Sequence, residues 1–177
     1  RLQELIKYHD VPVATITYFV HSMLSEQISA KGYKVAFSGT SADELFTGYY
    51  DHFLLHLNAV RDSDKHTRHL NDWEDNILPF VRNPTFRNPD LYKERPGYRE
   101  HVYDNSSEFM SFLKVPFGEE FKEELLSEGL LRNRMMNELF YEITPVVLHE
   151  DDLNSMFYSI ENRSPYLDSK LFEFAHS

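Results

Sequence analysis

The chain has 177 residues, 41% of them hydrophobic and 27% charged, so it is long enough to bury a core without a disulfide or metal staple. It contains no cysteine, which excludes a disulfide scaffold, a thiolate zinc site and a cysteine nucleophile within these residues and fits a reducing, cytoplasmic compartment. Its formal net charge of -11 argues against binding to nucleic acid or to anionic lipid, since both need clustered Lys and Arg. No apolar run approaches the roughly 20 residues of a membrane span.

The first part of the chain, about 1–62, begins with two predicted helices. Apolar residues at helical spacing predict a helix that ends at the Asp10-Val11-Pro12 break, because the residue before a proline leaves the helical region. A longer amphipathic helix is predicted over 16–28, and Gly32 occupies the place of a C-terminal cap.

A short strand is predicted next. Residues 33–37 (YKVAF) are rich in Val and aromatic side chains and end at a Ser-Gly turn, after which residues 42–50 have the pattern of a helix. This order of helix, strand, turn and helix is typical of a parallel α/β sheet. Ligands bind at the carboxyl ends of the strands in such sheets, so residues 38–44 are expected at a functional site.

The middle part, about 63–118, is polar and has a cluster of Pro and Asn turn signals over 79–96. We predict a surface helix up to Val81 and then an irregular insertion.

The third part, about 119–177, is predicted to be helical. Apolar spacing starts a helix at Phe121, and Pro145 opens the next helix at a position where proline is tolerated. Pro165 is predicted to end this run, and residues 167–174 to begin a last helix.

Two interpretations fit the segment SGTSADELFTGY at 38–49. A strand end, a Gly turn and a helix start form a ready anion site, and Asp43 and Glu44 beside it would suit a Mg²⁺ ion that bridges carboxylate and phosphate oxygens. The other interpretation is an ordinary helix start, with Ser41 as the N-cap and the two acids favoured by the helix dipole.

A run of three acids at 150–152 stands out in the third part. It is either a solvated charge run or a group of functional carboxylates. Further along, Arg163 between Glu161 and Asp168 suits a structural ion-pair corner.

His52 and His56 stand four positions apart, which is a spacing that metal ligands use on a helix. A zinc site takes three or four ligands, and no third ligand is evident in the sequence. We therefore interpret the pair as part of a polar helix face.

Two segments in the same order resemble the asparagine synthetase family. SGTSADELFTGY at 38–49 resembles its SGxGxDExFxGY motif, and EDDLNSMFYSIENRSPYLD at 150–168 resembles its later RDDRxSMxxSLExRxPFLD segment. The long helix and the YKVAF strand that precede the first motif agree as well. The resemblance covers about 10–60 and 144–175.

The resemblance implies an ATP pyrophosphatase-type α/β fold with a largely helical C-terminal portion. On that basis, residues 1–62 would be the second part of the nucleotide-binding domain, 63–118 an insertion and 119–177 the helical part of the synthetase domain. It implies a carbon-nitrogen ligase that activates a carboxylate as an acyl-adenylate with ATP and Mg²⁺. Ammonia then displaces AMP, and it would come from glutamine through a separate glutaminase domain with a cysteine nucleophile. The family also implies a possible homodimer.

The resemblance assigns roles to individual positions. Asp43 matches the aspartate that binds Mg²⁺ and pyrophosphate, and Asp43 and Asp152 are the implied catalytic residues. The turn residues implied to bind ATP are Ser38, Gly39 and Thr40. The implied supporting residues are Glu44, Asp151, Glu161, Arg163 and Asp168.

The chain departs from the family pattern at several places. Thr40 stands where asparagine synthetases often have Glu, and Ser41 and Thr47 stand where the family usually has Gly, so the turn is expected to be less open. The SGGxDS pyrophosphate loop and a downstream lysine are not in the sequence, and the chain starts at Arg1. We therefore expect a fragment that cannot form an adenylate alone.

Three functions remain open from the sequence. The first is asparagine synthesis from aspartate. The second is amidation of a sugar acid in bacterial surface-polysaccharide synthesis. The third is a non-catalytic family member that acts as a binding or scaffolding protein.

Overall fold

The computed structural model describes residues 1–13, 15–100, 106–115 and 122–177. The chain forms two compact units, the first made of Arg1–Thr47 with Met135–Ser177 and the second of Gly48–Arg134. The functional division at about 62 and 118 stays a prediction. No helix in the described part of the chain is both long and apolar enough to cross a membrane.

The regular elements of the described residues are mostly helices. In chain order the α-helices and strands are α1 (Leu2–His9), α2 (Ile16–Ala30), β1 (Val35–Phe37), α3 (Ala42–Phe46), α4 (Tyr50–Ala59), α5 (His66–Asn76), α6 (Leu91–Glu94), α7 (Ser106–Met110), α8 (Leu130–Asn137), α9 (Ile143–Phe157), β2 (Glu161–Arg163) and α10 (Ser169–His176). The described residues also include short 3-10 helices at Leu78–Phe80, Pro84–Arg87 and Pro165–Leu167 and a π-helix at Glu138–Glu142.

The sheet of the first unit consists of β1 and β2, which run parallel with Val35 opposite Glu161 and Phe37 opposite Arg163. This pair confirms the predicted α/β class, whereas the ATP pyrophosphatase-type fold stays a prediction. The prediction of helix over residues 161–163 is wrong. Ser159 adopts a left-handed conformation (φ 57) that turns the chain out of α9, after which three residues pair with β1.

Helices α2 and α9 pack against each other, and α9 also contacts β2 of the sheet. Polar side chains tie the two helices together: the Asn154 amide nitrogen donates to the Tyr18 carbonyl at 3.0 Å, and the Ser29 hydroxyl donates to the Tyr158 carbonyl at 2.9 Å. Because each bond joins a side chain to a backbone group across the interface, the two helices are fixed in register as well as in contact.

The helix predicted over residues 42–50 is broken in the structure. It ends at Phe46, and Thr47 adopts φ 70 and ψ 157 before α4 begins at Tyr50. A β-branched residue at positive φ is rare, and this region is otherwise occupied by glycine. The cap predicted at Gly32 is confirmed by its φ of +83 directly after α2.

The start of the third part differs from the prediction. Phe121 lies outside the described residues, and residues 122–129 form no helix, so the next described helix begins at Leu130. The side-chain oxygen of Asn133 accepts hydrogen bonds from the backbone N–H groups of Leu126 and Ser127, which ties this segment to α8. The prediction that Pro145 opens a helix is wrong, because a π-helix over Glu138–Glu142 connects α8 directly to α9 and the chain is already helical before Pro145.

The second unit has a hydrophobic core of its own. The prediction of an irregular insertion in the middle part of the chain did not include such a core. Its buried members are Leu54, Leu55, Leu57, Trp73, Val81, Phe86, Leu91, Tyr92 and Tyr98. The segments between these residues are short helices and turns, as the Pro and Asn signals predicted.

His52 and His56 lie in different surroundings within this second unit. His52 is only 1% exposed, so the interpretation as a polar helix face is wrong for it. The ring of His56 lies instead against His69 of α5, with Nε2 of His56 3.0 Å from Nδ1 of His69. His56 thus contacts a histidine of the neighbouring helix α5, which the spacing of four positions between His52 and His56 did not predict.

Candidate active site

A cavity of about 320 Å³ lies in the first unit at the carboxyl end of β1, between α2 and α9. Its apolar lining includes Leu24, Ile28, Val147 and Ile160. Its polar lining includes His21, Ser38, Gly39, Thr40, Asp151 and Asn154. The location is the one that a parallel sheet offers for a ligand.

Hydroxyl groups from both motif segments form a chain that ends on a carboxylate. The Ser38 hydroxyl donates to Thr40 Oγ1 at 3.0 Å, and the Thr40 hydroxyl donates to Asp151 Oδ2 at 3.2 Å. Ser164 Oγ lies 3.1 Å from Ser38 Oγ. Since Ser38 has one hydroxyl proton and gives it to Thr40, Ser164 is the donor to Ser38.

The pairing of β1 with β2 explains why these hydroxyls meet. The Ser38 N–H donates to the Arg163 carbonyl at 2.9 Å, so the residues that follow the two strands lie side by side. The two motif segments, far apart in sequence, therefore share one edge of the cavity.

The three consecutive acids of α9 have three different environments. Glu150 is buried, with Oε2 3.6 Å from Nδ1 of the buried His9. The Asp151 side chain is 11% exposed and lines the cavity, whereas Asp152 is exposed and does not. A solvated charge run is therefore the wrong interpretation for Glu150 and Asp151. The catalytic role of Asp152 stays a prediction.

The acids of α3 lie apart from the cavity lining. Asp43 is exposed in the first turn of this five-residue helix, and Glu44 is buried. Ser41 occupies the N-cap position with φ 74, but its side chain makes no capping bond and lies 3.0 Å from the Thr144 hydroxyl. The interpretation of Ser41 as a side-chain N-cap is therefore wrong, and the Mg²⁺ role of Asp43 stays a prediction.

The supporting residues near β2 have structural contacts. Arg163 pairs with Glu161 at 2.8 Å on the surface, where such a pair contributes about 0–1 kcal/mol. Asp168 does not join them. Its carboxylate caps α10 by accepting hydrogen bonds from the backbone N–H groups of Lys170 and Leu171. The predicted ion-pair corner of three residues is therefore an ion pair between Arg163 and Glu161 and a separate helix cap at Asp168.

The sequence analysis missed His21, which lies on α2 and lines the cavity. Its Nδ1 lies 3.2 Å from Asp151 Oδ1. His21 falls inside an apolar helical pattern, and its partner is 130 positions away, so no local signal identifies it. Asn154 was missed as well: it is 1% exposed, and its Oδ1 has no hydrogen-bond partner among the described residues.

One further titratable group lies close to these residues. Burial, followed by the charges of Asp151 and Glu150, raises the pKa of the Tyr18 phenol. Tyr18 therefore stays protonated and neutral at physiological pH.

The family model for asparagine synthase matches residues 1–177, which is the whole chain. The chain belongs to the asparagine synthase family. No curated protein and no solved structure matches the chain at a significant level. The family match confirms the resemblance seen in the two motifs. At the level of the family, an asparagine synthase is a ligase that uses ATP for amide synthesis.

The cavity of this asparagine synthase family member has the size and lining of a small-molecule site. Its volume is at the lower end of the roughly 300–1,000 Å³ of small-molecule pockets. Its lining combines apolar side chains with hydroxyl, amide and charged groups, as is usual for small-molecule sites. Adding a Cβ at Gly39 would meet no atom within 4 Å, so the turn leaves open space for a ligand.

Proposed function

We propose that the chain is the synthetase part of a glutamine-hydrolysing asparagine synthase, which forms an amide by way of an acyl-adenylate. The observation that supports this most directly is the meeting of both motif segments at one cavity. There, the turn Ser38–Thr40 lies against Asp151 at the carboxyl end of a parallel strand pair.

In this proposal the residues 38–40 hold ATP, and Asp43 supplies an oxygen ligand to Mg²⁺. One exposed carboxylate is compatible with that ion, because Mg²⁺ is usually bound by one or two carboxylates together with substrate phosphates and water. A bound Mg²⁺ would neutralise charge on the phosphates during transfer. Ammonia would come from a glutaminase domain, which these cysteine-free residues do not contain.

A sugar acid is the second candidate for the carboxylate substrate. Thr40, at the position where asparagine synthetases often have Glu, has a neutral side chain that is already bonded to Ser38 and Asp151. A neutral hydroxyl cannot form an ion pair with the ammonium group of aspartate. This feature supports the sugar acid as the second candidate.

Carboxylate-dependent release of pyrophosphate by the intact protein tests the proposal. L-Aspartate and a hexuronic acid would be compared with ATP and Mg²⁺ present, and the products separated by chromatography. Pyrophosphate and AMP are expected with one of the two acids. Release of phosphate and ADP would rule out the adenylate mechanism, and no nucleotide turnover with either acid would favour the non-catalytic alternative.

A further inference from the structure

We propose that His21, held by Asp151, accepts the proton that ammonia loses when the amide bond forms. The inference rests on the proposed function. It adds a residue of α2 to the active site, outside both motif segments.

The cavity contains few groups that can accept a proton. Among the described residues that line it, only His21 and Asp151 are titratable, and the others are apolar, hydroxyl, amide or glycine. Histidine is the side chain whose proton exchange lies nearest to neutral pH. The ring of Tyr18 lies next to that of His21 on α2. Tyr18 is kept protonated because burial and the neighbouring carboxylates raise the pKa of its phenol.

The contact between His21 and Asp151 fixes which ring nitrogen is available. An ionised carboxylate only accepts hydrogen bonds, so Nδ1 of His21 is the donor in the 3.2 Å contact with Asp151 Oδ1. The neutral ring then has its lone pair on Nε2. This arrangement, with a carboxylate orienting a histidine, is the one that general bases use.

The Asp151 carboxylate is itself held from two sides. Oδ1 faces His21, and Oδ2 accepts the hydrogen bond from Thr40. The side chain is 11% exposed, against 44% for His21. Asp151 is thus fixed by its partners, whereas the ring that it orients reaches solvent, to which a captured proton can be released.

The proposed step balances in atoms and electrons. The lone pair of the ammonia nitrogen forms a bond to the carbonyl carbon of the acyl-adenylate. The bond from that carbon to the phosphate oxygen breaks, and its electron pair leaves with AMP. The nitrogen gives one proton to Nε2 of His21, and the Asp151 carboxylate stabilises the resulting imidazolium. The products are the amide, AMP and a protonated His21.

The test separates the two half-reactions in the intact protein. Adenylate formation is measured as exchange of labelled pyrophosphate into ATP, with L-aspartate and D-glucuronate as probe carboxylates. Amide formation is measured with ammonium as the nitrogen source. His21→Gln is expected to lower amide formation roughly 10²–10⁴-fold and pyrophosphate exchange by less than tenfold. Added imidazole should restore part of the amide formation in His21→Ala.

The matched control is His149→Gln, because His149 is exposed on α9 and does not line the cavity. Both half-reactions should keep the wild-type rate in this variant. Amide formation at the wild-type rate in His21→Gln would overturn the inference while leaving the proposed function intact. Equal loss of both half-reactions, without imidazole rescue, would assign His21 to folding or binding and also overturn it. If the wild-type protein shows no exchange with either acid, the proposed function fails and the inference falls with it.

Discussion

The Ser38 hydroxyl lies 3.1 Å from the Ser164 hydroxyl, although 126 positions separate the two residues in the chain. Each serine directly follows a strand of the parallel pair, so the contact is a consequence of strand register. From Ser164 the hydrogen bonds continue through Ser38 and Thr40 to Asp151, and all of these donors point toward the carboxylate. The chain of hydroxyls therefore stabilises a negative charge at the cavity wall.

Removing the last hydroxyl of that chain tests its contribution. Thr40→Val keeps the shape of the side chain but takes a donor from Asp151, and we expect the free energy of unfolding to fall by about 1–3 kcal/mol. Urea unfolding monitored by circular dichroism measures the change. Thr40→Ser retains the hydroxyl and should recover most of the loss. Equal midpoints for all three proteins would show that the hydrogen bond contributes nothing.

Asp168 offers a test of stability outside the cavity. Asp168→Ala removes the carboxylate that caps the backbone of Lys170 and Leu171 at the start of α10, and it should lower the free energy of unfolding by about 0.5–2 kcal/mol. Asp168→Ser, which can still cap, should lose much less. Differential scanning calorimetry would distinguish the two variants, and an equal loss in both would argue against capping as the role of Asp168.

Thr47 is expected to be a strained residue, and glycine should relieve the strain. At φ 70 and ψ 157 the Cβ of Thr47 is unfavourable by about 1–3 kcal/mol, whereas glycine loses about 0.5–1 kcal/mol through its greater freedom in the unfolded chain. Thr47→Gly should therefore stabilise the protein by about 1 kcal/mol in urea unfolding, by the difference of these two terms. Thr47→Ala keeps the Cβ and should show no gain. A lower midpoint for the glycine variant would contradict the strain.

Ser41 shows why the same change is not expected to help everywhere. It is also left-handed, with φ 74, at a position where the family usually has glycine. Its hydroxyl, however, is bonded to Thr144 in a buried contact. Losing that bond would cost about 1 kcal/mol and offset the relief of strain. Ser41 and Thr47 thus keep the positive φ that is usual for glycine, and the expectation of a less open turn stays a prediction.

The sequence was most informative where a periodic pattern was long. Helix α2 and the strand that follows it were predicted to within two residues at each end, because fifteen helical residues give several turns of apolar spacing. Strand β2 was missed because its three residues show no alternation and its pairing partner is more than a hundred residues away. The break at Thr47 was missed because Thr is not a usual residue at positive φ.

The candidate site was predictable in part for a related reason. The motifs identified the turn at 38–40 and the acids of α9, but not which acid faces the cavity, since that depends on the rotation of α9 against α2. His21 has no motif, and only the packing of the two helices brings it to Asp151.

Asp43 and Asp152, the two predicted catalytic acids, are tested by their effect on activity in the intact protein. If Asp43 binds Mg²⁺, Asp43→Asn should abolish Mg²⁺-dependent pyrophosphate release. Because the side chain is exposed, the free energy of unfolding should change by less than about 0.5 kcal/mol. Asp152→Asn, at a position that is also exposed, tests the second predicted catalytic acid on the same readout. Titration with Mg²⁺ would show whether excess metal restores the Asp43 variant. Unchanged release in that variant would rule out the metal assignment.

The contact between His56 and His69 predicts a loss of stability in acid. Burial, followed by the neighbouring His69, lowers the pKa of His56 below its usual 6.5. As the pH falls, His56 is therefore protonated in the unfolded chain before it is protonated in the folded protein. The stability that neutral His56 contributes is present above about pH 6.5, the pKa in the unfolded chain. It is lost as the pH drops through the lower pKa of the folded state. Urea midpoints measured from pH 8 to pH 5 should fall less steeply in His56→Asn than in the wild type. His149→Gln, which changes an exposed histidine, should follow the wild-type slope, and a parallel slope in His56→Asn would contradict the shift.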